Sequence, residues 1–147
     1  MLALFLATLC AGIFCGAALY INFVEHPARI SGGMESALRQ FAPSYKRATV
    51  MQASLAIAAL LFGLAGSWQL RDALAAVGAA VLGSVVPFTL IVILPTNKQL
   101  LDPTLDARSE RAAALLARWN RLHAVRSALS AAGFTLMLWR LASACVR

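Results

Sequence analysis

Four long apolar runs divide this chain, and they constrain its fold more than any other feature. They cover residues 1–24, 48–70, 73–94 and 122–141. Each run approaches the length of about 20 residues that an α-helix needs to cross the hydrocarbon core of a bilayer. The chain is 61% hydrophobic and 13% charged, whereas soluble domains carry about 25% charged residues. The pattern predicts a single all-α domain over residues 1–147, an integral membrane bundle of four transmembrane helices.

The segments between the runs complete the predicted architecture. Residues 34–41 have the composition of a short interfacial amphipathic helix between the first and second spans. Pro87 lies inside the third span and predicts a kink there. Residues 109–121 form an Ala-, Leu- and Arg-rich stretch, which we expect to run directly into span four with Ser109 as its N-cap. Span four is the least apolar of the four because it contains Arg126.

The distribution of lysine and arginine predicts an orientation. Of the 13 such residues, only Arg71, Arg140 and Arg147 fall on one side of the bundle. Cytoplasmic loops carry an excess of Lys and Arg, so loops 25–47 and 95–122 are expected in the cytoplasm and both termini outside, in a bacterial inner membrane. The net charge of +7 fits contact with anionic lipid headgroups. No basic patch with interleaved aromatic residues stands apart from the helices, so nucleic acid is not an expected partner.

Small residues on the spans predict close helix packing. The glycines concerned are Gly12 and Gly16, Gly63 and Gly66, and Gly78 and Gly83. Small residues let helices approach closely in lipid. We interpret these glycines as packing positions within one bundle, and a homo-oligomer stays open as the alternative. The three cysteines, Cys10, Cys15 and Cys145, form no CxxC motif and are interpreted as packing residues.

Polar side chains from four elements are predicted to meet at one depth near the cytoplasmic face. The predicted cluster contains Asn22, His26, Tyr45, Gln52, Asn97, Trp119, His123 and Arg126. Spacings of three and four residues place the members from each span on one helix face. Ionisable residues within membrane spans usually face the bundle interior or water and mark functional sites. Glu25 is the expected counter-ion of Arg126. In the alternative interpretation, His123 and Arg126 only snorkel into the headgroups.

The chemistry of this cluster allows three interpretations. Two histidines suggest a metal or haem, but the chain has no HxxxH, HExxH or CxxCH motif, so no metal is expected. An imidazole beside a guanidinium and amide donors is suited to removing a proton and holding the resulting oxyanion. An apolar pocket with these groups fits a flat lipophilic substrate. A non-catalytic accessory protein that binds a lipid or quinone is the third interpretation.

Four segments of the chain resemble the anthrone-oxygenase-like family of small four-helix membrane proteins. They are ALYINFVEHP at 18–27, FAPSYKR at 41–47, PFT followed by LPTNKQL within 87–100, and WNRLHAVR at 119–126. Most members of this family are described only as a domain of unknown function. The resemblance implies an oxidoreductase without a cofactor, which oxidises a lipophilic phenolic or anthrone-type substrate with molecular oxygen. It also implies base-assisted formation of an enolate that reacts with oxygen directly.

Residue chemistry within these motifs suggests individual roles under that resemblance. His123 or His26 would be the base, and Trp119 would stack on the substrate ring. Arg126, Asn97 and Asn120 would hold the enolate or peroxide. The residues expected to bind the substrate are Asn22, Trp119, Asn120, Tyr45 and Gln52. The partners implied are the lipid bilayer and a small lipophilic substrate or quinone.

Overall fold

The fold is a bundle of four helices, and the computed structural model describes residues 1–145 without the side chain of Cys145. The helices are α1 (Leu2–Ser31), α2 (Met34–Leu70), α3 (Ala73–Leu100) and α4 (Glu110–Cys145). Helix α1 packs against α2 and α4, and α3 packs against the same two helices. Helices that are consecutive in the sequence therefore pack against each other, and the first helix also packs against the last. Arg147, counted above on the outer side, lies outside the described residues, as does the thiol of Cys145.

Three helices have the properties of membrane spans. Among the described residues, α1, α2 and α3 are long and apolar enough to cross a bilayer. This confirms the predicted helical membrane bundle. Helix α4 does not meet the same condition, since His123, Arg126 and Arg140 lower its hydropathy. Its crossing stays a prediction, which its packing between α1 and α3 supports.

The predicted separate interfacial helix is wrong. Residues 34–41 form the first turns of α2, which continues through Pro43 as one helix of 37 residues. The segment joins the bundle because Ala37 and Phe41 are buried against Trp119 and its neighbours instead of resting on a membrane surface. The preceding turn depends on Gly33, whose φ of +88° favours glycine.

Helices α1 and α3 each contain a π-helical segment next to the polar cluster. The segments are Ile21–Glu25 in α1 and Thr89–Ile93 in α3. A π-turn adds a residue to the helical repeat, so the side chains after it point in a different direction. Such turns are frequent at functional sites. Helix α3 is also interrupted at Ser84, three residues before Pro87. These irregularities shift the faces that hydrophobic periodicity predicts for the ends of both helices.

The start of α4 confirms two predictions. The Oγ of Ser109 accepts a hydrogen bond from the N–H of Ala112 at 3.2 Å, so Ser109 caps the helix. Residues 110–121 continue without a break into the rest of α4. In the preceding loop, the hydroxyl and N–H of Thr104 donate to Asp102 and hold the pKa of that carboxyl below its usual value.

Glycines bring the helices together in the half of the bundle away from the polar cluster. A Cβ atom on Gly63 would lie 2.5 Å from the Cβ of Ala79, and one on Gly66 would lie 2.9 Å from the backbone nitrogen of Leu4. These contacts agree with the predicted packing within one bundle. Gly16 differs, because nothing lies within 4 Å of a Cβ placed there.

Gly133 lies at a close approach of α3 and α4 and is not among the glycines that the sequence predicted to pack. A Cβ there would lie 2.8 Å from the backbone nitrogen of Leu82 and 2.9 Å from the carbonyl oxygen of Gly78. Gly133→Ala is expected to lower the free energy of unfolding by about 1–3 kcal/mol, because backbone atoms cannot rotate away from the new methyl group. Thermal unfolding of the purified protein in one detergent measures this.

Gly16→Ala is the matched control for that change. It has open space around the new methyl group, and alanine is favoured over glycine in a helix by about 1 kcal/mol. Its melting temperature is expected to stay the same or rise. Equal melting temperatures for the two variants would contradict the packing role of Gly133.

Candidate functional site

A cavity lies among the four helices. The empty space between its wall atoms is about 830 Å³, a volume that includes the part open to the outside. Most of the wall is apolar, with Phe14, Phe41 and Ile93 among its buried members. The polar residues of the wall are Glu25, Arg29, Ser44, Tyr45, Thr49, Gln52, Thr89, Asn97, His123 and Arg126.

A hydrogen-bond network between α1 and α4 holds His123, which is 2% exposed. The Nδ1 of His123 lies 2.9 Å from the Oδ1 of Asn22, and the Oγ of Ser127 donates to the same oxygen at 2.5 Å. The Nδ2 of Asn22 donates to the backbone carbonyl of Asn120 at 3.2 Å and to its Oδ1 at 2.9 Å. The side chain of Asn22 thus joins three residues of α4.

This network determines the tautomer of His123. A backbone carbonyl only accepts hydrogen bonds, so the group of Asn22 that contacts the carbonyl of Asn120 is its NH₂. Its Oδ1 therefore faces His123 and accepts from the Nδ1–H of the ring. The Nε2 of His123 keeps its lone pair and is the ring nitrogen available to a molecule in the cavity.

Trp119 lies between the two histidines. Its ring centroid is 4.9 Å from that of His123 and 5.6 Å from that of His26. Phe41 meets the tryptophan edge-on at 5.4 Å. Trp119 and His123 line the cavity, whereas His26 is buried behind the indole with no hydrogen-bond partner on its Nδ1 within residues 1–145. The two histidines therefore have different access to a bound molecule.

Two arginines contribute to the cavity wall, and only one has a carboxylate partner. Arg29 forms a salt bridge with Glu25, one helical turn earlier. The expected pairing of Glu25 with Arg126 is therefore wrong, because the nearer cation on the same helix takes the carboxylate. The guanidinium of Arg126 lies 5.2 Å from the ring centroid of Phe14. Within residues 1–145, no side chain forms a salt bridge with it, and its buried Nε has no hydrogen-bond partner.

Two buried amides in the wall also have unused hydrogen-bonding groups. Among the described residues, the Nε2 of Gln52 and the Oδ1 of Asn97 have no partner, although these residues are 3% and 1% exposed. Buried polar atoms are nearly always hydrogen-bonded in folded proteins. Both residues line the cavity, but these two atoms are themselves inaccessible to a water molecule in the structure.

The structure brings most of the predicted site residues to one cavity. Those that line it are Tyr45, Gln52, Asn97, Trp119, His123 and Arg126. Asn22 and Asn120 bond to each other behind His123, and neither of them lines the cavity. Sequence reasoning missed Ser127 and Arg29. Each lies four residues after its polar partner on the same helix, and this spacing is the sequence pattern that could have identified it.

The described chain offers few ligands for a metal ion. No group of three or more His, Cys, Asp or Glu residues within positions 1–145 is close enough to hold one. Cys10 and Cys15 are free thiols. The polar groups of the cavity wall include imidazole, guanidinium, amide and hydroxyl groups, which are suited to binding oxygen atoms of an organic molecule.

Fold and cavity together define a class: helical membrane proteins with a mostly apolar cavity inside the bundle. Within that class, the model of the anthrone oxygenase family matches residues 41–136, and the chain belongs to this family. A protein of Claviceps purpurea (strain 20.1) named anthrone oxygenase is 29% identical, with 85% of this chain and 80% of the relative covered. No solved structure matches the chain. The family predicted from the sequence is confirmed, and it supports an oxygenase-type function.

Proposed function

We propose that this protein is a membrane-embedded oxygenase that oxidises an anthrone-type phenolic compound to the quinone without a cofactor. The observation that carries the proposal is the state of His123. Its Nδ1–H is held by Asn22 at 2.9 Å, which leaves an unprotonated Nε2 at the wall of an apolar cavity that also contains Arg126. The family and the named relative supply the substrate class.

The first step of the proposed reaction is removal of a proton. The CH₂ carbon of an anthrone is acidified by the ring carbonyl, and His123 takes one proton through its Nε2. The electron pair moves onto the carbonyl oxygen. Arg126 then stabilises that oxyanion.

The remaining steps use molecular oxygen as the oxidant. The electron-rich carbon forms a bond to O₂, and the proton held by His123 completes a hydroperoxide. Loss of the second hydrogen as a proton then breaks the O–O bond, and the outer oxygen leaves as water. The substrate carbon becomes a carbonyl and loses four electrons, while O₂ is reduced to that carbonyl oxygen and one water molecule.

The other wall residues orient the substrate in this proposal. Trp119 stacks on the flat ring system, and Tyr45 and Asn97 bond its hydroxyl groups. Asn22 and Asn120 act through His123. His26 is the second candidate base, but Trp119 separates it from the cavity.

Purified protein, anthrone and dissolved oxygen test the proposal. Quinone absorbance and oxygen uptake should rise together, one O₂ per quinone, faster than the spontaneous oxidation in the same detergent. A metal chelator should leave the rate unchanged. A rate equal to that of empty detergent micelles would overturn the proposal.

A second candidate function is binding without turnover of a lipid or quinone. Arg126 favours it, because a guanidinium with no carboxylate partner among residues 1–145 also suits a phosphate or quinone oxygen. Stoichiometric lipid or quinone in the purified sample, with no oxidation of anthrones, would support this candidate instead.

The side chain of Asn22 gives a test of the proposed tautomer. Asn22→Leu is expected to lower kcat about ten- to hundredfold with a small change in KM, because His123 loses the partner that orients it. Asn22→Asp keeps an acceptor for the Nδ1–H and should retain more activity. Steady-state kinetics of both variants measure this. Equal losses in the two variants would contradict the positioning role of Asn22.

A further inference from the structure

We propose that the cavity is loaded sideways from the hydrocarbon interior of the bilayer, through a mouth between α2 and α3. The mouth is formed by Thr49 and Ala53 on α2 and by Leu90 on α3. Its occupant in transit is a flat lipophilic molecule dissolved in the membrane. The inference rests on the shape and surface of the bundle and does not depend on the reaction.

Exposure locates the mouth. Of the residues that line the cavity, Thr49, Ala53 and Leu90 are the ones on the outer surface, and Leu90 is 59% exposed. The other lining residues are buried or half-buried. Thr49 and Ala53 are four residues apart and share one face of α2. The cavity therefore reaches the surface where this face meets α3.

The packing of α2 and α3 explains why a gap exists there. In the other half of the bundle the two helices touch, since a Cβ on Gly83 would lie 2.8 Å from the side chain of Leu60. Beyond the interruption at Ser84, the π-helical segment Thr89–Ile93 packs chiefly against α4. Helices α2 and α3 thus separate at the level of Leu90.

Large apolar side chains flank the mouth. Val50 on α2 is 71% exposed and Ile91 on α3 is 73% exposed, and both are next to mouth residues in the sequence. Leu90 is ten residues before the end of α3 at Leu100, about 15 Å along the helix at 1.5 Å per residue. This surface lies within a helix apolar enough to span the membrane, so it faces acyl chains.

A hydrophobic cluster occupies the loop end of the bundle. Its buried members are Ile21, Ala37, Phe41, Ile93, Leu100, Leu115, Leu116 and Trp119. The Glu25–Arg29 salt bridge lies at the same end. A molecule that entered at the loop end would have to pass these side chains, whereas one from the lipid would enter between α2 and α3.

Quenching of Trp119 fluorescence tests the route of entry. Trp68 and Trp139 are 86% and 68% exposed, and replacing both by phenylalanine leaves Trp119 as the single tryptophan. This protein is reconstituted into phosphatidylcholine vesicles. Bromobenzene, which dissolves in the bilayer, should quench Trp119 efficiently, and aqueous iodide should quench it weakly.

Substitutions at the mouth make the test specific. Ala53→Phe with Leu90→Phe should reduce quenching by bromobenzene several-fold, because two rings narrow the gap. Ile91→Phe is the matched control, since Ile91 is exposed beside the mouth and does not line the cavity. Circular dichroism checks that each variant is folded. Stronger quenching by iodide than by bromobenzene would overturn the proposal, as would equal bromobenzene quenching in the mouth variant and the control. Neither result depends on whether the protein oxidises anthrones.

Discussion

His123→Ala is expected to reduce the proposed oxidation of an anthrone by about 100- to 10,000-fold, the contribution that a general base typically makes. The variant removes the Nε2 that takes the substrate proton, but it leaves Arg126 and the apolar wall in place. Substrate binding, measured by quenching of Trp119 in the single-tryptophan protein, should therefore change much less than kcat. Oxygen uptake under substrate saturation measures the loss.

His26→Ala is the matched control for this experiment. His26 is buried next to the same indole, with a centroid distance of 5.6 Å, but it does not line the cavity. Its replacement should lower the rate only modestly. A larger loss in His26→Ala than in His123→Ala would reassign the base, and unchanged rates in both variants would remove the histidines from the mechanism.

Arg126→Met is expected to lower kcat by about 100- to 1,000-fold, since it removes the donor proposed to stabilise the developing oxyanion. The same variant should unfold at an equal or higher temperature. A charge in a largely apolar wall, without a carboxylate partner among residues 1–145, is unfavourable, and an apolar side chain of similar length removes that cost. A lower kcat together with an equal or higher unfolding temperature would identify Arg126 as a functional residue.

Two further variants test whether a positive charge is required at position 126. Arg126→Lys keeps a cation in the cavity and should retain part of the activity. Arg121→Met removes a charge from an exposed position on the same helix and should change neither kcat nor the melting temperature. If Arg126→Met kept full activity but lowered stability, the guanidinium would have only a structural role.

The sequence by itself determined the membrane bundle, the family and the level at which polar side chains collect. Hydropathy over about 20 residues is a local property of the chain, so the apolar runs marked the helices directly. Helical spacing likewise placed His123 and Arg126 on one face of α4. Four segments, among them the one around Trp119, predicted the family, which the match over residues 41–136 confirmed.

The tertiary structure decided which of these residues face one another. Residues 34–41 joined α2 because Ala37 and Phe41 found burial against α4. Glu25 paired with Arg29 and left Arg126 without a carboxylate among the described residues. Such pairings depend on which helices are neighbours and on their rotation, which the π-helical segments change without a clear signal in the sequence.

Helix packing also produces the two features on which the proposals rest, the Asn22–His123 hydrogen bond and the mouth of the cavity. The sequence put Asn22 and His123 at one level, but only the packing of α1 against α4 brought the Oδ1 of Asn22 to 2.9 Å from the Nδ1 of His123. The mouth at Leu90 likewise arises from the separation of two helices. Helix propensity and hydropathy are set residue by residue, whereas a hydrogen bond between helices and a gap between them are properties of the packed bundle.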